Sequence, residues 1–396
     1  MPSGELGELG QRERTRLVAE AKRVVVKLGT AVLTGADGRV ALGRFYSFVE
    51  SVAALRRTGR EVLLVSSGAI GLGAARLGAA RAGTLSLKQA CAAVGQGRLM
   101  ALYADAFDRL GIPAAQILIT EGDLSNRVRY LNLRSTLAKL LSFGAVPIIN
   151  ENDTISTAEL TPVGDAGLRQ VNFGDNDRLS ALVAAKIEAD ALVLLTDVDG
   201  LYTADPRAAA DAAVVPVVAD VTSSLEASAA GPRIGRGGMR TKLEAARIAT
   251  HSGCTTVIAS GFAPGVIDRL FAGDEVGTVF LPRPGLSGKR RWIAFATTVQ
   301  AAVVVNQGAR RALVERKASL LPVGVLEVRG EFERGDVVSI LDETGDEFAR
   351  GIVNYSSGQA AQIAGLRSDR VEELVGSDEE LVTRDNIALL EELHAA

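Results

Sequence analysis

The chain has 396 residues, more than one typical folding core accommodates, and this length predicts two domains. Hydrophobic residues make up 47% and charged residues 23% of the chain, as in ordinary globular proteins and unlike disordered or fibrous ones. The 44 Lys and Arg against 47 Asp and Glu give a net charge of −3, which argues against general attraction to nucleic acid or to anionic membranes.

Residues 1–21 are polar and mixed in charge, and they lack the apolar core of a secretion signal. We expect this segment to be a disordered leader. No apolar run approaches the about 20 residues of a membrane helix. The two cysteines, Cys91 and Cys254, lie far apart without a CxxC partner, which favours buried thiols in a reducing compartment over a zinc site. We therefore expect a cytoplasmic protein without a membrane segment and without a protein-held metal.

Residues 22–281 alternate short apolar runs with longer amphipathic ones. The apolar runs, which predict strands, are RVVVKLGT, EVLLVSSGA, AAQILIT, AVPIINEN, DALVLLTDVDG and TTVIASG. Helical patterns between them include FYSFVESVAALRRTG, VRYLNLRSTLAKLLSFG and DRLSALVAAKIEA. Strands that are apolar on both faces and separated by helices predict an α/β fold, an αβα sandwich with a mainly parallel sheet. Ligands of such sheets bind at the C-terminal ends of the strands.

The C-terminal third has a different pattern. PRPGLSGKRR at 282–291 is rich in proline and glycine and predicts a linker. Residues 292–375 are strand-like with closely spaced turns and predict a small, mainly β domain, and residues 376–396 predict an acidic tail with helical ends. From residue 289 onward there are 13 Lys and Arg against 18 Asp and Glu, so this region lacks the basic character that RNA binding requires.

Five strand ends of the first domain are unusually polar. These are Lys27, Ser66 to Gly68, Asn150 to Asp153, Asp175 to Asp177, and Thr196 with Asp197. Any one of them is explained by a turn or a helix cap, and one aspartate at 175–177 is enough to cap the next helix. Five at one edge of a sheet favour a ligand site. Lys27 follows three valines, where an unpaired ammonium group is costly to desolvate, so it requires an anionic partner.

The sequence GRGGMRTK at 235–242 precedes a helical pattern. A helix N-terminus has unpaired N–H groups and about half a positive charge, which suit an anion. The loop is not a Walker A motif, and Arg240 occupies the third glycine position of the Rossmann fingerprint. Taken alone, it is equally compatible with a plain turn before a helix.

The blocks VVKLGT, SSGAI, AVGQ, INEND, FGDND, LLTDVDGLYTADPR and GGMRTK resemble, in order and approximate spacing, those of the glutamate 5-kinases, which belong to the amino-acid kinase superfamily. The resemblance covers residues 22–375 and includes a C-terminal region similar to a PUA domain. SSGAI also occurs in related kinases, whereas the combination of INEND, GDND and GGMxTK is more specific. The resemblance implies the amino-acid kinase fold and the Mg²⁺-dependent transfer of the γ-phosphoryl group of ATP to the side-chain carboxylate of L-glutamate. The product, L-glutamyl 5-phosphate, begins proline synthesis.

The same resemblance implies a role for each matching residue. Lys27 and Lys242 would flank the transferring phosphoryl group, and Asp177 would orient both lysines. The glutamate-binding residues would be Ser67, Gly68, Asn150, Asp153, Asp175 and Asn176. The nucleotide-binding residues would be Lys27, Thr196, Asp197, Arg236, Gly237, Gly238, Met239, Arg240, Thr241 and Lys242. A homo-oligomer, either tetramer or dimer, and feedback inhibition by proline are implied as well.

Two features depart from the family pattern. Arg236 replaces a small residue of the glycine loop, and the segment 154–173 is longer than the family form and is expected to be a flap over the amino-acid site. The alternatives are a sister kinase that acts on N-acetylglutamate, aspartate or a nucleoside monophosphate, and a catalytically silent regulatory protein. Retention of Lys27, Asp177 and Lys242 argues against the silent protein. RNA binding by the β domain is disfavoured by its charge.

Overall fold

The structure, a computed structural model, describes residues 5–35, 39–79, 84–155, 176–206, 209, 211–222, 238–283, 293, 294, 299, 301–377 and 379–390. The chain divides into two compact units. The first contains most of the chain up to Gly285, and the second contains Glu121–Asn132 together with the chain from Leu286 onward.

The described residues of the first unit form an eight-stranded sheet. Its strands are β1 (Arg23–Leu28), β2 (Glu61–Ser66), β3 (Ala114–Ile119), β4 (Val146–Glu151), β5 (Ala191–Thr196), β6 (Val217–Val218), β7 (Thr255–Ser260) and β8 (Thr278–Phe280). Their order is β3-β4-β2-β1-β5-β7-β8-β6, and every neighbouring pair is parallel except β7 with β8. All six apolar runs predicted as strands are strands, because the sheet is covered on both faces and its strands carry few polar side chains.

Helices cover this sheet. They are α1 (Glu5–Glu20), α2 (Thr30–Leu33), α3 (Leu42–Arg57), α4 (Ala69–Leu77), α5 (Leu85–Asp108), α7 (Arg127–Ser142), α8 (Asn176–Lys186), α9 (Met239–His251) and α10 (Val266–Ala272). The helix α6 (Glu121–Ser125) and the first residues of α7 group with the second unit. Val24 and Val26 of β1 lie in the core cluster that contains residues of α3 and α10. Side chains alternate along a strand, so Lys27 lies on the opposite face, where α8 packs against β1. The predicted αβα sandwich is confirmed.

The second unit has a five-stranded sheet in the order β10-β9-β11-β12-β13. The strands are β9 (Ala302–Val305), β10 (Val325–Arg329), β11 (Val337–Leu341), β12 (Glu347–Ile352) and β13 (Ile387–Leu389), and the helices are α11 (Gln307–Arg316), α12 (Ser357–Ile363) and α13 (Ser368–Val375). The predicted C-terminal β domain is thus present. The run QGARRAL, predicted within a strand-like region, instead forms α11, because the Asn306 side chain caps it by accepting from the Ala309 N–H at 2.8 Å.

The predicted acidic tail at 376–396 is wrong for residues 379–390, which belong to the β unit. β13 pairs antiparallel with β12, and Leu381 and Val382 are fully buried. The Tyr355 hydroxyl donates to the Glu379 carbonyl at 2.8 Å, and the Asn354 side chain donates to the Glu380 carbonyl at 2.9 Å. The backbone of these acidic residues therefore supplies partly buried acceptors, which side-chain charge alone does not indicate.

The predicted disordered leader at 1–21 is wrong for residues 5–20, which form α1. Arg14 is buried and its guanidinium donates to the Val276 carbonyl at 2.8 Å and to the Pro216 carbonyl at 3.3 Å. Burial lowers the pKa of Arg14, and Glu275 partly opposes that shift. Val18 is buried as well. A polar segment is thus ordered by a charged side chain that satisfies distant backbone carbonyls.

The domain boundaries differ from those predicted. The first domain, predicted as one segment at 22–281, is interrupted in the structure, because Glu121–Asn132 groups with the second unit. The physical reason is Tyr130, whose buried ring packs in one cluster with Ile293, Ala294, Val337, Ile352 and Ala388. Most of the predicted linker at 282–291 lies outside the described residues.

Two glycines allow α4 and α5 to approach closely. A Cβ on Gly95 would lie 1.7 Å from the Ala69 carbonyl oxygen, and a Cβ on Gly73 would lie 1.8 Å from the Cys91 carbonyl oxygen. Neither position admits a larger residue without backbone movement. This contact fixes α5 next to the start of α4, immediately after the SSG segment that ends β2.

We predict that Gly95→Ala lowers the free energy of unfolding by about 3 kcal/mol, because the added methyl group overlaps a backbone carbonyl. Gly97→Ala on the same helix is the matched control, since nothing lies within 4 Å of its added Cβ. The control is expected to gain stability, by up to about 1 kcal/mol, from helix propensity alone. Urea unfolding of both variants measures the difference, and equal stabilities would contradict the close packing.

Candidate active site

One carboxylate joins two buried lysines at the end of the central strand. Asp177 of α8 lies 2.6 Å from the Lys27 ammonium nitrogen through Oδ1 and 3.0 Å from the Lys242 ammonium nitrogen through Oδ2. The side chains of Lys27, Lys242 and Asp177 are 5%, 4% and 0% exposed. Each charge is costly to bury alone, and pairing offsets that cost. Two ammonium groups and one carboxylate leave one positive charge in the cluster.

The protonation state of Asp177 follows from its surroundings. Burial by itself raises the pKa of the Asp177 carboxyl, but the ammonium groups of Lys27 and Lys242 outweigh burial, and the pKa is lowered. The group is therefore a carboxylate at neutral pH. Its contribution to stability is present above the unfolded-state pKa of about 3.9 and is lost as the pH falls through the lower folded-state pKa.

The start of α9 supplies further polar groups. Gly238 is the N-cap in an extended conformation, so the first N–H groups of α9 have no acceptor within the helix. The Thr241 hydroxyl lies 2.9 Å from the Gly238 carbonyl and 3.2 Å from Asp177 Oδ2, and its single proton serves one of them at a time. The positive end of a helix and two ammonium groups at one place form an environment suited to phosphate oxygens.

A network of side-chain amides begins at Asn176, the residue next to Asp177. The Asn176 side-chain nitrogen faces three acceptors, the Ser66 carbonyl at 3.1 Å, the Ser67 hydroxyl at 2.8 Å and Asn150 Oδ1 at 3.0 Å. Gly68 has a φ of 105°, a left-handed conformation that favours glycine, and α4 begins at the next residue. The structure thus brings together three predicted glutamate-binding residues, Ser67, Asn150 and Asn176, and Gly68 follows Ser67 directly in the chain.

The remaining predicted residues have these positions. Thr196 ends β5 and its hydroxyl donates to Asp197 Oδ1 at 3.1 Å, while the Gly261 N–H donates to the Thr196 carbonyl at 2.8 Å. Asp153 is half-buried in the turn after β4, and Met239 and Arg240 open α9. The residues Asp175, Arg236 and Gly237, and almost all of the predicted flap at 154–173, lie outside the described residues.

The sequence interpretation missed two residues of this region. A Cβ on Gly29 would lie 3.7 Å from the Lys27 ammonium nitrogen, so Gly29 is an immediate neighbour of that charge. Gln96 accepts a hydrogen bond from the Asn150 side chain at 2.9 Å and is buried. The available signal was the AVGQ block, where a polar residue occupies a helix position that packs inward.

The site fits a nucleotide and its magnesium ion by the chemistry of its donors. Among the described residues, no group of three or more His, Cys, Asp or Glu side chains lies close enough to hold a metal. Magnesium commonly binds phosphate oxygens and water with few protein ligands, so Mg²⁺ would be held chiefly by ATP.

In the described part of the chain, no helix combines the length and apolarity that a membrane span requires.

Comparison with known proteins agrees with this geometry. The model of the amino acid kinase family matches residues 22–260, and the PUA domain model matches residues 301–375. The chain is 45% identical over 386 residues to a glutamate 5-kinase of Moorella thermoacetica, covering 96% of this chain and 99% of the relative. It is also similar to the glutamate 5-kinases of Pelobacter propionicus (44% identity, 95% of this chain and 100% of the relative) and of Trichormus variabilis (45%, 93% and 99%).

The chain belongs to the amino acid kinase family, within the glutamate 5-kinases. The family, the kinase fold and the C-terminal PUA domain predicted from the sequence are thereby confirmed.

We predict that Asp177→Asn lowers the free energy of unfolding by about 3–5 kcal/mol at neutral pH, because it leaves two buried ammonium groups without a counter-charge. The matched control is Asp105→Asn, which removes an exposed carboxylate paired with Arg109 at 3.0 Å. Exposed ion pairs contribute little to stability because solvent screens them, so the control is expected to resemble the parent protein. Urea unfolding at pH 7.5 compares the two, and equal losses would contradict the buried pairing.

Proposed function

We propose that this chain catalyses the glutamate 5-kinase reaction, in which the γ-phosphoryl group of ATP is transferred to the side-chain carboxylate of L-glutamate. The observation that carries the proposal is the cluster of Lys27, Asp177 and Lys242 at the end of β1. The product, L-glutamyl 5-phosphate, begins proline synthesis. The names and high coverage of the glutamate 5-kinase relatives support the same reaction.

The chemistry requires positioning and charge more than proton transfer. A glutamate side chain has a pKa of about 4.3 and is ionised at neutral pH, so the nucleophile needs no general base. This explains why the cluster works without histidine: the chain has two histidines, and His251 ends α9 at the opposite end from Met239. Phosphoryl transfer spreads negative charge over three oxygens, and fixed cations stabilise that charge.

Lys27 and Lys242 would supply those cations. An ammonium group has three N–H donors, so each lysine is able to bind Asp177 and a phosphoryl oxygen at the same time. Asp177 acts as a positioning residue, because it fixes both lysines while it remains buried. Mg²⁺ bound with ATP supplies further charge neutralisation on the phosphates. The N-terminus of α9, with Gly238 to Lys242, and Thr196 with Asp197 would hold the nucleotide, as would Arg236 and Gly237.

The amide network would hold the amino acid. Ser67, Gly68, Asn150 and Asn176 would place the glutamate carboxylate near the lysines. Asp153 and Asp175 carry carboxylates that would pair with the free α-ammonium group of glutamate. N-acetylglutamate has no such ammonium group. A homo-oligomer of two or four chains, inhibition by proline, a cytoplasmic location and the absence of RNA binding remain predictions from the sequence.

The proposed function is tested by trapping its product. Purified protein with Mg-ATP, hydroxylamine and L-glutamate is expected to yield a hydroxamate, because hydroxylamine reacts with acyl phosphates. N-acetylglutamate and aspartate run in parallel are expected to give little product. Hydroxamate formed with one of these acids in preference to glutamate would reassign the substrate. Binding of ATP without product from any acid would overturn the proposal.

We predict that Lys242→Met lowers kcat by about 10²–10⁴-fold while the KM for glutamate changes only a few-fold, since a contact to the transition state is lost. Met keeps the length of the side chain, and Lys27 still pairs with Asp177. Lys139→Met, at an exposed position of α7, is the control for loss of a lysine. Turnover near that of the control would remove Lys242 from the catalytic residues.

A further inference from the structure

We infer that Gln96 is a positioning residue for the amino-acid substrate and acts through Asn150. Its side-chain carbonyl accepts from Asn150 Nδ2 and, together with Asn176 on the other end of the amide, holds Asn150 so that it presents its oxygen. The inference rests on the proposed role of Asn150 in binding glutamate.

The argument begins at a backbone carbonyl of β2. The Ser66 carbonyl oxygen can only accept a hydrogen bond, and the Asn176 side chain lies 3.1 Å from it. The nitrogen of the Asn176 amide must therefore face Ser66. An oxygen in its place would put two acceptors together without a proton.

The orientation of the next two amides follows. Because Asn176 presents a donor, the Asn150 group 3.0 Å from it must be the oxygen, Oδ1. Asn150 Nδ2 is then directed the other way, toward Gln96 Oε1 at 2.9 Å. One backbone carbonyl thus fixes the direction of three side-chain amides, and Gln96 is the acceptor at the end of the series.

The requirement at position 96 is an acceptor. Asn150 is 3% exposed, so without that acceptor its Nδ2 would lose its hydrogen bond in a buried place, and the Asn150 amide would be held from the Asn176 side alone. Gln96 Nε2 is buried and has no hydrogen-bond partner among the described residues. The nitrogen of Gln96 therefore contributes nothing to this network, and only its oxygen is used.

Gln96 is held rigidly enough to orient a neighbour. The contact of Gly95 with the Ala69 carbonyl fixes α5 next to α4, and two turns later the Tyr103 hydroxyl lies 2.9 Å from the Ser66 hydroxyl. α5 is thus fixed to the end of β2, the strand whose carbonyl sets the direction of the amides. A site residue is precise when its support lies on such packed elements.

The substrate side explains why the direction matters. Asn176 Nδ2 has two protons but faces three acceptors, so one acceptor is left for another donor. The α-ammonium group of an amino acid is such a donor. An Asn150 held with its oxygen toward the site favours a free ammonium group, whereas a turned Asn150 would present N–H groups to it.

The test compares Gln96→Met with Gln96→Glu. Met matches the length of glutamine but is a poor acceptor, whereas Glu keeps a strong acceptor at the same distance. We expect Gln96→Met to raise the KM for glutamate about tenfold with kcat and the KM for ATP within about threefold, and Gln96→Glu to stay within about threefold of the parent protein. If Gln96 only filled space, Met would leave the KM unchanged, and that result would overturn the inference.

Folding is followed by the thermal midpoint of each variant. Should the Met variant not fold, Gln96→Asn replaces it, because Asn remains polar but is too short to reach Asn150. The same rise in the KM for glutamate is expected. An unchanged KM in this folded variant would also overturn the inference.

A double variant separates the inference from the function on which it rests. Asn150→Ala alone is expected to raise the KM for glutamate, and an unchanged KM would remove Asn150 from the proposed substrate site. Adding Gln96→Met to Asn150→Ala is expected to cause no further rise, because Gln96 acts through Asn150. If Asn150→Ala raises the KM for glutamate and Gln96→Met raises it further by an independent factor, only the role assigned to Gln96 is contradicted.

Discussion

The site depends on one buried carboxylate shared by two lysines. Lys27, Asp177 and Lys242 belong to β1, α8 and α9, which lie far apart in the sequence, and the paired charges fix the ends of all three elements. None of the three charges is stable alone in the interior. The excess of one ammonium over carboxylate makes the place attractive to an anion, which is the property that phosphoryl transfer requires.

The first two residues of α8 link the two halves of the site. The Asn176 side chain donates to the Ser67 hydroxyl and to Asn150 Oδ1, and the adjacent Asp177 pairs with the lysines. The position of an amino acid is therefore coupled to the position of the phosphoryl group through one helix turn. The parallel ends of β1 and β2, where Leu28 is paired with Ser66, bring these halves to the same edge of the sheet.

The sequence predicted most of the first unit because its physical signals are local. Strands buried on both faces must be apolar, so the six runs stand out, and parallel strands place their polar ends at one edge. The pairing of Lys27 with an anion followed from the cost of an ammonium group after three valines. The α1 helix and the C-terminal strand β13 were missed, because they are stabilised by partners that are distant in sequence: Val276 for Arg14, and β12 for β13.

By itself the sequence determined the kinase fold, the family and the residue types of the site, since these depend on hydrophobic pattern and on short motifs. Only the tertiary structure decided how those residues divide their hydrogen bonds. It gave Asp177 one oxygen for each lysine, and it placed Gln96 against Asn150, although a glutamine within a helix carries no local sign of its partner. Such choices depend on the direction of donors and acceptors across packed elements, and that direction exists only once the chain has folded.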